Sequence, residues 1–386
     1  MKQAITTIFK ATLLASALAM AGVAASAHAE LRIGVIMSLT GPGSGLGIPA
    51  KNGFALWPDS IGGEKIKLII LDDATDPTQA SKNASRLIAE DKVDLIIGSA
   101  TVPPTLAIAA VALENQTVQL AISPIELPPG KDAWTFRLPQ STAVMAAGVV
   151  EHMKKNGVKN IAFLGYSDSY GENWLKEMQR LTKQAGITII AEERFSRADT
   201  SVTAQALRVV SAHPDAVLVV ASGSGAAMPH KALIERGYPG KIYQTHSAAS
   251  RDLIRLGGRD VEGAFVISGP AVVPEALPES NPSKKLAADF VQRYEQLYGA
   301  GSRNLFAAHV YDTQLVLQRI VPAALKIAKP GTAAFRAALK DALENSGAIQ
   351  ISQGTLRYSA SDHFGLGADA RIMLTIKNGN WQAVAP

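Results

Sequence analysis

Residues Ile96-Ile97-Gly98-Ser99-Ala100-Thr101-Val102-Pro103-Pro104-Thr105 have the types and order that could hold an anion. An apolar strand, Asp94 to Ile97, runs into a glycine and small hydroxyl residues. Two prolines then open an apolar-periodic run to Leu113. Proline is preorganised for a first helical turn, so the stretch reads as strand, tight turn, helix. The first amides of a helix have no intrahelical acceptor and carry positive partial charge, which suits a carboxylate or phosphate. In an open α/β sheet, ligands sit at the carboxyl ends of strands. An ordinary strand-to-helix turn with no ligand has the same pattern.

Other clusters point to less. Gly41-Pro42-Gly43-Ser44-Gly45-Leu46-Gly47 departs from G-x-G-x-x-G, which argues against a dinucleotide. It is either a loop that lets a ligand approach the backbone or a flexible turn. Asp72, Asp73 and Asp76 lack calcium-loop spacing, and Asp76-Pro77 reads as a helix cap. Gly165-Tyr166-Ser167-Asp168-Ser169 fails G-x-S-x-G, and the seven histidines include no H-E-x-x-H pair. With no cysteine, disulfides, thiol catalysis and thiolate metal sites are excluded. The sequence therefore disfavours an enzyme and implies no cofactor and no metal. Asp362-His363 lies in a turn and reads as structural. Arg137 fits either a bidentate carboxylate contact or, better, an interlobe or surface ion pair.

The elements that must position the opening stretch alternate regularly. Leu31 to Met37 is nearly all apolar, as expected of a parallel strand covered on both faces. Strands over 65–71, 94–98 and 118–122 follow, each separated from the next by a helix. Trp134 to Pro139 is extended and breaks the rhythm, which marks a passage into a second αβ unit. There, strands over 160–166, 188–192, 216–221, 241–245 and 261–268 alternate with helices. Ser222 and Ser224 follow the third of these strands and face the cleft. Residues 282–345 are helical, and Arg371 to Ile376 with Asn378-Gly379 forms a closing hairpin. Such alternation predicts doubly wound parallel sheets. Two such lobes joined by several extended passages make a hinge and a cleft, a preferred ligand site.

Residues 1–29 have a separate logic. Lys2 and Lys10 precede a short apolar run, and Ala27-His28-Ala29 has the small-x-small cleavage pattern, which together predict an exported chain with a cleaved signal peptide. Removing those two lysines lowers the formal charge from +5 to +3. That mild charge, without a basic cluster interleaved with aromatics, argues against nucleic acid.

Several motifs occur together in one order: Met37-Ser38-Leu39-Thr40-Gly41-Pro42, Asp72-Asp73-Ala74-Thr75-Asp76-Pro77, Ile97-Gly98, Ile122-Ser123-Pro124 and Tyr170-Gly171. In this the chain resembles periplasmic solute-binding proteins of the branched-chain amino-acid ABC transporter type, over residues 30–386. The resemblance implies a type I periplasmic binding fold: α/β, with two doubly wound parallel-sheet lobes joined by three crossovers. Residues 30–138 with 273–355 would form the N-terminal lobe, and 139–272 with 356–386 the C-terminal lobe. It also implies a monomer in the periplasm that delivers a small carboxylate to an inner-membrane ABC permease. The same fold serves sensors, which leaves a periplasmic ligand sensor as an alternative.

The resemblance further implies that the turn at Ser99 to Thr105 holds the ligand carboxylate by backbone amides and a hydroxyl, with Ser99, Ala100, Thr101 and Val102 as the contacts. Tyr170 and Leu46 would lie beside the ligand, with Ser123, Pro124, Ser222 and His246 as further contacts. Relatives that carry a disulfide have cysteines at the positions of Thr75 and Thr101, which places Thr75 next to the ligand turn. Amino-acid binders of this family pair the ligand ammonium with an acid at the position aligned with His246. A buried ammonium without a carboxylate costs several kcal/mol, whereas histidine can hydrogen-bond a keto oxygen, hydroxyl or carboxylate. The sequence thus favours aromatic carboxylates or 2-oxo acids, such as benzoate or phenylpyruvate derivatives. A branched-chain or other hydrophobic amino acid, with Glu126 as ammonium partner, is the alternative.

Overall fold

The computed structural model describes residues 30–384. The predicted signal peptide lies outside the described residues. No helix among them is long and apolar enough to cross a membrane.

The first sheet grows from the mostly apolar strand β1 (Leu31–Met37), which is buried except at the half-buried Arg32 and is therefore central. Helix α1 (Ser44–Gly53), the short β2 (Ser60–Ile61) and β3 (Glu64–Asp72) follow. Then come α2 (Pro77–Ala89), β4 (Leu95–Gly98), α3 (Val102–Glu114), β5 (Val118–Ala121) and β6 (Thr135–Arg137). The strand order is β2-β3-β1-β4-β5-β6, parallel except for β2. Register sets Ile36 of β1 beside Gly98 of β4, so both strands end at one level and the residues that follow them meet. Asp76 caps α2 by accepting the Gln79 amide, with Pro77 in the first turn, as the sequence predicts.

The second sheet begins after α4 (Thr142–Lys155). It contains β7 (Asn160–Tyr166), α5 (Ser169–Ala185), β8 (Thr188–Phe195), α6 (Thr203–Ser211) and β9 (Ala216–Val220). Helix α7 (Ala227–Ile234), β10 (Lys241–Gln244), α8 (Arg251–Gly257) and β11 (Phe265–Ser268) complete the run. The chain then returns to the first core through α9 (Lys284–Tyr298), α10 (Leu305–Leu325), α11 (Ala333–Glu344) and the ribbon β12 (Ile349–Ile351) and β13 (Gly354–Leu356). It ends in β14 (Ile372–Lys377) and β15 (Asn380–Ala383), which add antiparallel to β11. Asn378 and Gly379 both take positive φ, the signature of a two-residue hairpin turn. The order is β15-β14-β11-β10-β9-β7-β8. The chain thus passes between the sheets after β6, after β11 and after β13.

Three local expectations change. Residues 44–47 are the first turn of α1, not a flexible loop. The glycines there serve close packing: a Cβ on Gly47 would collide with the Ser38 carbonyl, so only glycine lets α1 sit on the end of β1. Tyr358, Leu366 and Ala370 still pack in the first core, so the chain leaves that core later than residue 355. Arg137 is no surface pair. Its buried guanidinium donates to the carbonyls of Ile125 and Thr135 and reaches Asp132, all within the first lobe.

Candidate ligand-binding site

The opening stretch forms a braced turn. Gly98 has φ +126, and a Cβ there would strike the Ile36 carbonyl, so the strand can leave the sheet this way only at glycine. Ser99 follows, fully buried; its hydroxyl donates to Asp73 Oδ2 at 2.5 Å and its amide to Thr105 Oγ1 at 3.0 Å. Asp73 also accepts the Thr75 amide. Burial raises the Asp73 pKa, partly offset by these donors. Gln119 ties the carbonyls of Gly98 and Thr105 together. Ser38 links Ser99 and Thr101 through hydroxyl contacts of 3.4 and 3.1 Å. Thr75 accepts the Gly43 amide at 2.9 Å, which puts it beside the turn and α1.

Asp72 accepts from the Leu39, Thr40 and Ala74 amides and the Thr40 hydroxyl. Burial alone would raise its pKa, but these hydrogen bonds hold it below the ordinary value. The paired acids are therefore loop ties.

The bracing leaves one set of groups unused. Among the described residues, the amides of Ala100, Thr101 and Val102 meet no protein acceptor, and Pro103 and Pro104 have none to offer. They lie at the N-terminus of α3, whose cap residue Thr101 makes no side-chain cap bond. A row of free amides at a helix start is a ready anion receptor.

The second sheet supplies the opposite wall. Leu164 of β7 pairs with Val219 of β9 and Glu193 of β8, and Gln244 of β10 also pairs with Val219, so these strands end at one edge. Asp168, Arg197, Ser222 and His246 follow those ends. Asp168 caps α5 by accepting the Tyr170 and Gly171 amides. Its other oxygen meets Arg197 Nε at 2.5 Å, while Arg197 Nη1 donates to Ser222 Oγ at 2.8 Å. The guanidinium lies 4.1 Å from the Tyr166 ring centroid, within cation–π range. Tyr170 donates its hydroxyl to Thr245 at 2.7 Å, and burial pushes its pKa up to about 12, so it stays neutral.

Between the walls lies a narrow, partly open space of about 10 Å³, room for little more than a water molecule, lined by Leu46, Ala100, Thr101, Val102, Ser123, Pro124, Tyr170, Arg197, Ser222 and Ser247. It gathers eight of the ten residues singled out from sequence. Ser99 is not among them, because its hydroxyl and amide are both spent on holding the turn. His246 is not either. Its ring is buried beside Trp174 and Tyr170, at centroid distances of 5.9 and 6.3 Å, and Ser247 takes the lining position. Glu126 is exposed and does not line the space.

Arg197 and Ser247 were missed in the sequence. The usable signal for Arg197 was its place two residues past the end of β8, where ligands of open α/β sheets are met.

A family model described as periplasmic binding protein matches residues 30–379. Leu/Ile/Val-binding protein homolog 3 of Brucella melitensis is 24% identical, over 88% of this chain and 89% of its own. The crystal structure of an extracellular ligand-binding receptor from Rhodopseudomonas palustris HaA2 is 45% identical, with a TM-score of 0.91, covering 92% of this chain and 100% of that one. A solute-binding protein of an ABC transporter from R. palustris BisB5, solved with 3,4-dihydroxybenzoic acid, shares the fold at a TM-score of 0.77 and 21% identity, over 91% of this chain and 95% of that one. The braced anion turn, the two facing sheet edges and the match along nearly the whole described chain lead to one conclusion: this chain belongs to the periplasmic binding proteins, in the type I branched-chain amino-acid class of ABC transporter solute-binding components.

Proposed function

We propose that the protein binds a small aromatic carboxylate or 2-oxo acid in the interlobe space and delivers it, as a periplasmic monomer, to an inner-membrane ABC permease. One observation carries this reading: the space has a cationic and amide-rich wall and no acidic lining side chain among the described residues. Arg197 and the free amides of Ala100 to Val102 suit a carboxylate. An α-ammonium would meet only hydroxyls, the neutral Tyr170 and the Arg197 charge. Leu46, Val102, Pro124 and Tyr170 supply apolar contact for a ring or short side chain. That a protein of this fold was solved with 3,4-dihydroxybenzoic acid is consistent with the reading.

The test is a thermal-shift panel of leucine, phenylalanine, phenylpyruvate, benzoylformate, benzoate and 4-hydroxybenzoate, since a ligand of the native state raises the melting temperature by mass action. Shifts with the acids and none with the amino acids are expected. Micromolar binding of leucine or phenylalanine, with no aromatic or 2-oxo acid bound, returns the protein to amino-acid binding.

A further inference from the structure

Two buried histidines have no hydrogen-bond partner among the described residues. His246 follows β10 in the second lobe, and His309 sits early in α10, which packs on the first. Each is 1% exposed, and none of their four ring nitrogens has a hydrogen-bond partner. Buried polar atoms are almost always paired, because one left without a partner gives up its hydration for nothing. Four within one small region therefore call for a partner from outside the chain.

The two rings belong to one locale. Burial lowers both pKa values, to about 4 for His246 and about 3 for His309, and charge on His246 would depress His309 further. Both are thus neutral imidazoles near pH 7, each with one N–H donor and one nitrogen acceptor. Tyr170 and Trp174 flank His246, and Phe306 stands edge-on to His309 at 6.1 Å between centroids. Tyr170 also lines the ligand space, as does Ser247, next in chain to His246. His246 thus stands behind the lining of the ligand space, next to Tyr170 and Ser247, and His309 is near enough to His246 to feel its charge.

We propose that His246 and His309 form a second polar pole of the ligand site, which recognises a hydroxyl on the ligand, one imidazole accepting its proton and the other donating N–H to its oxygen. Hydroxyl is the group that matches this pair, since it donates and accepts at once. The natural ligand is then a hydroxylated aromatic carboxylate, held by its anion at Ala100 to Val102 and Arg197 and by its hydroxyl at the histidines. This rests on the carboxylate reading above and adds the ligand's second functional group.

The test is calorimetric titration of matched pairs: benzoate with 3- and 4-hydroxybenzoate, and phenylpyruvate with 4-hydroxyphenylpyruvate. At least one hydroxylated acid is expected to bind about tenfold or more tightly than its parent. His246→Phe and His309→Phe should each shrink that preference, read as the ratio of hydroxylated to parent acid, to about threefold or less. His309→Gln, which keeps a donor and an acceptor, should retain more of the preference and serves if the Phe variant does not fold. Acids that bind with no hydroxyl preference, or a preference that survives at both histidines, overturn this inference and leave the carboxylate reading standing. Failure of every acid to bind overturns both.

Discussion

Replacing Arg197 with methionine removes the one cation that lines the ligand space among the described residues, while keeping an unbranched stem against Tyr166. In the structure the guanidinium spends Nε–H on Asp168 and one Nη1–H on Ser222, so three of its five N–H groups are left for a ligand. A charge-assisted hydrogen bond to a carboxylate is worth about 1.5–3 kcal/mol, which predicts roughly 10- to 150-fold weaker binding. Arg197→Met also strands the Asp168 carboxylate, whose repulsion of an anionic ligand adds to the loss. Asp168→Asn combined with Arg197→Met restores the local charge balance and should recover part of the affinity. Stability should fall by about 1–3 kcal/mol, because the pair is largely buried although Asp168 keeps its two amide donors at the start of α5. Arg197→Lys should lie between, since a lysine keeps the charge but not the planar fork. The assay is calorimetric titration with the aromatic acid that shifts the melting temperature most, alongside its methyl ester. An Arg197→Met protein that melts normally and binds the acid within about threefold of the original would refute the assignment of Arg197 as the anion's partner.

Further outcomes follow from the same geometry. Asp73→Ala leaves the Ser99 hydroxyl and the Thr75 amide without their acceptor; a loss of about 2–4 kcal/mol in urea unfolding is expected, with weaker ligand binding. Gly47→Ala forces α1 off the Ser38 carbonyl, which should cost about 1–3 kcal/mol and disturb Leu46, read as a lower melting temperature and a raised Kd. His309 has a folded pKa of about 3, below its ordinary 6.5. On acidification from pH 6.5 to 4.5 the unfolded chain therefore takes up the proton first and stability falls. His309→Phe should reduce that slope by about 1.4 kcal/mol per pH unit, and an unchanged slope counts against the buried neutral imidazole. Small-angle scattering should show a smaller radius of gyration with saturating ligand, whereas identical curves would argue against hinge closure.

The order of strands and helices was legible in the sequence, because buried parallel strands such as Ile33 to Met37 and Val217 to Val220 read as continuous apolar runs. The strand, turn and helix from Leu95 to Glu114 were legible too, since glycine ends the strand and paired prolines open the helix. Local signals of this kind arise from backbone sterics and hydrogen bonding within a few residues, so they survive in one dimension. What the residues on that turn do was not legible. Ser99 and Thr101 look alike in sequence, yet register sets Ser99 inward onto Asp73 while Thr101 faces the cleft. Arg197 sits in a polar loop marked only by its place just past β8, and the pairing of β8 with β7 is what brings it over Tyr166 and onto Ser222. His246 was singled out by alignment, but its unpaired neighbour His309 lies 63 residues on in a helix of the other lobe. Such meetings depend on sheet order and on how the two lobes face each other. Those are set by long-range burial summed over whole cores, a property that no short stretch of the chain carries by itself.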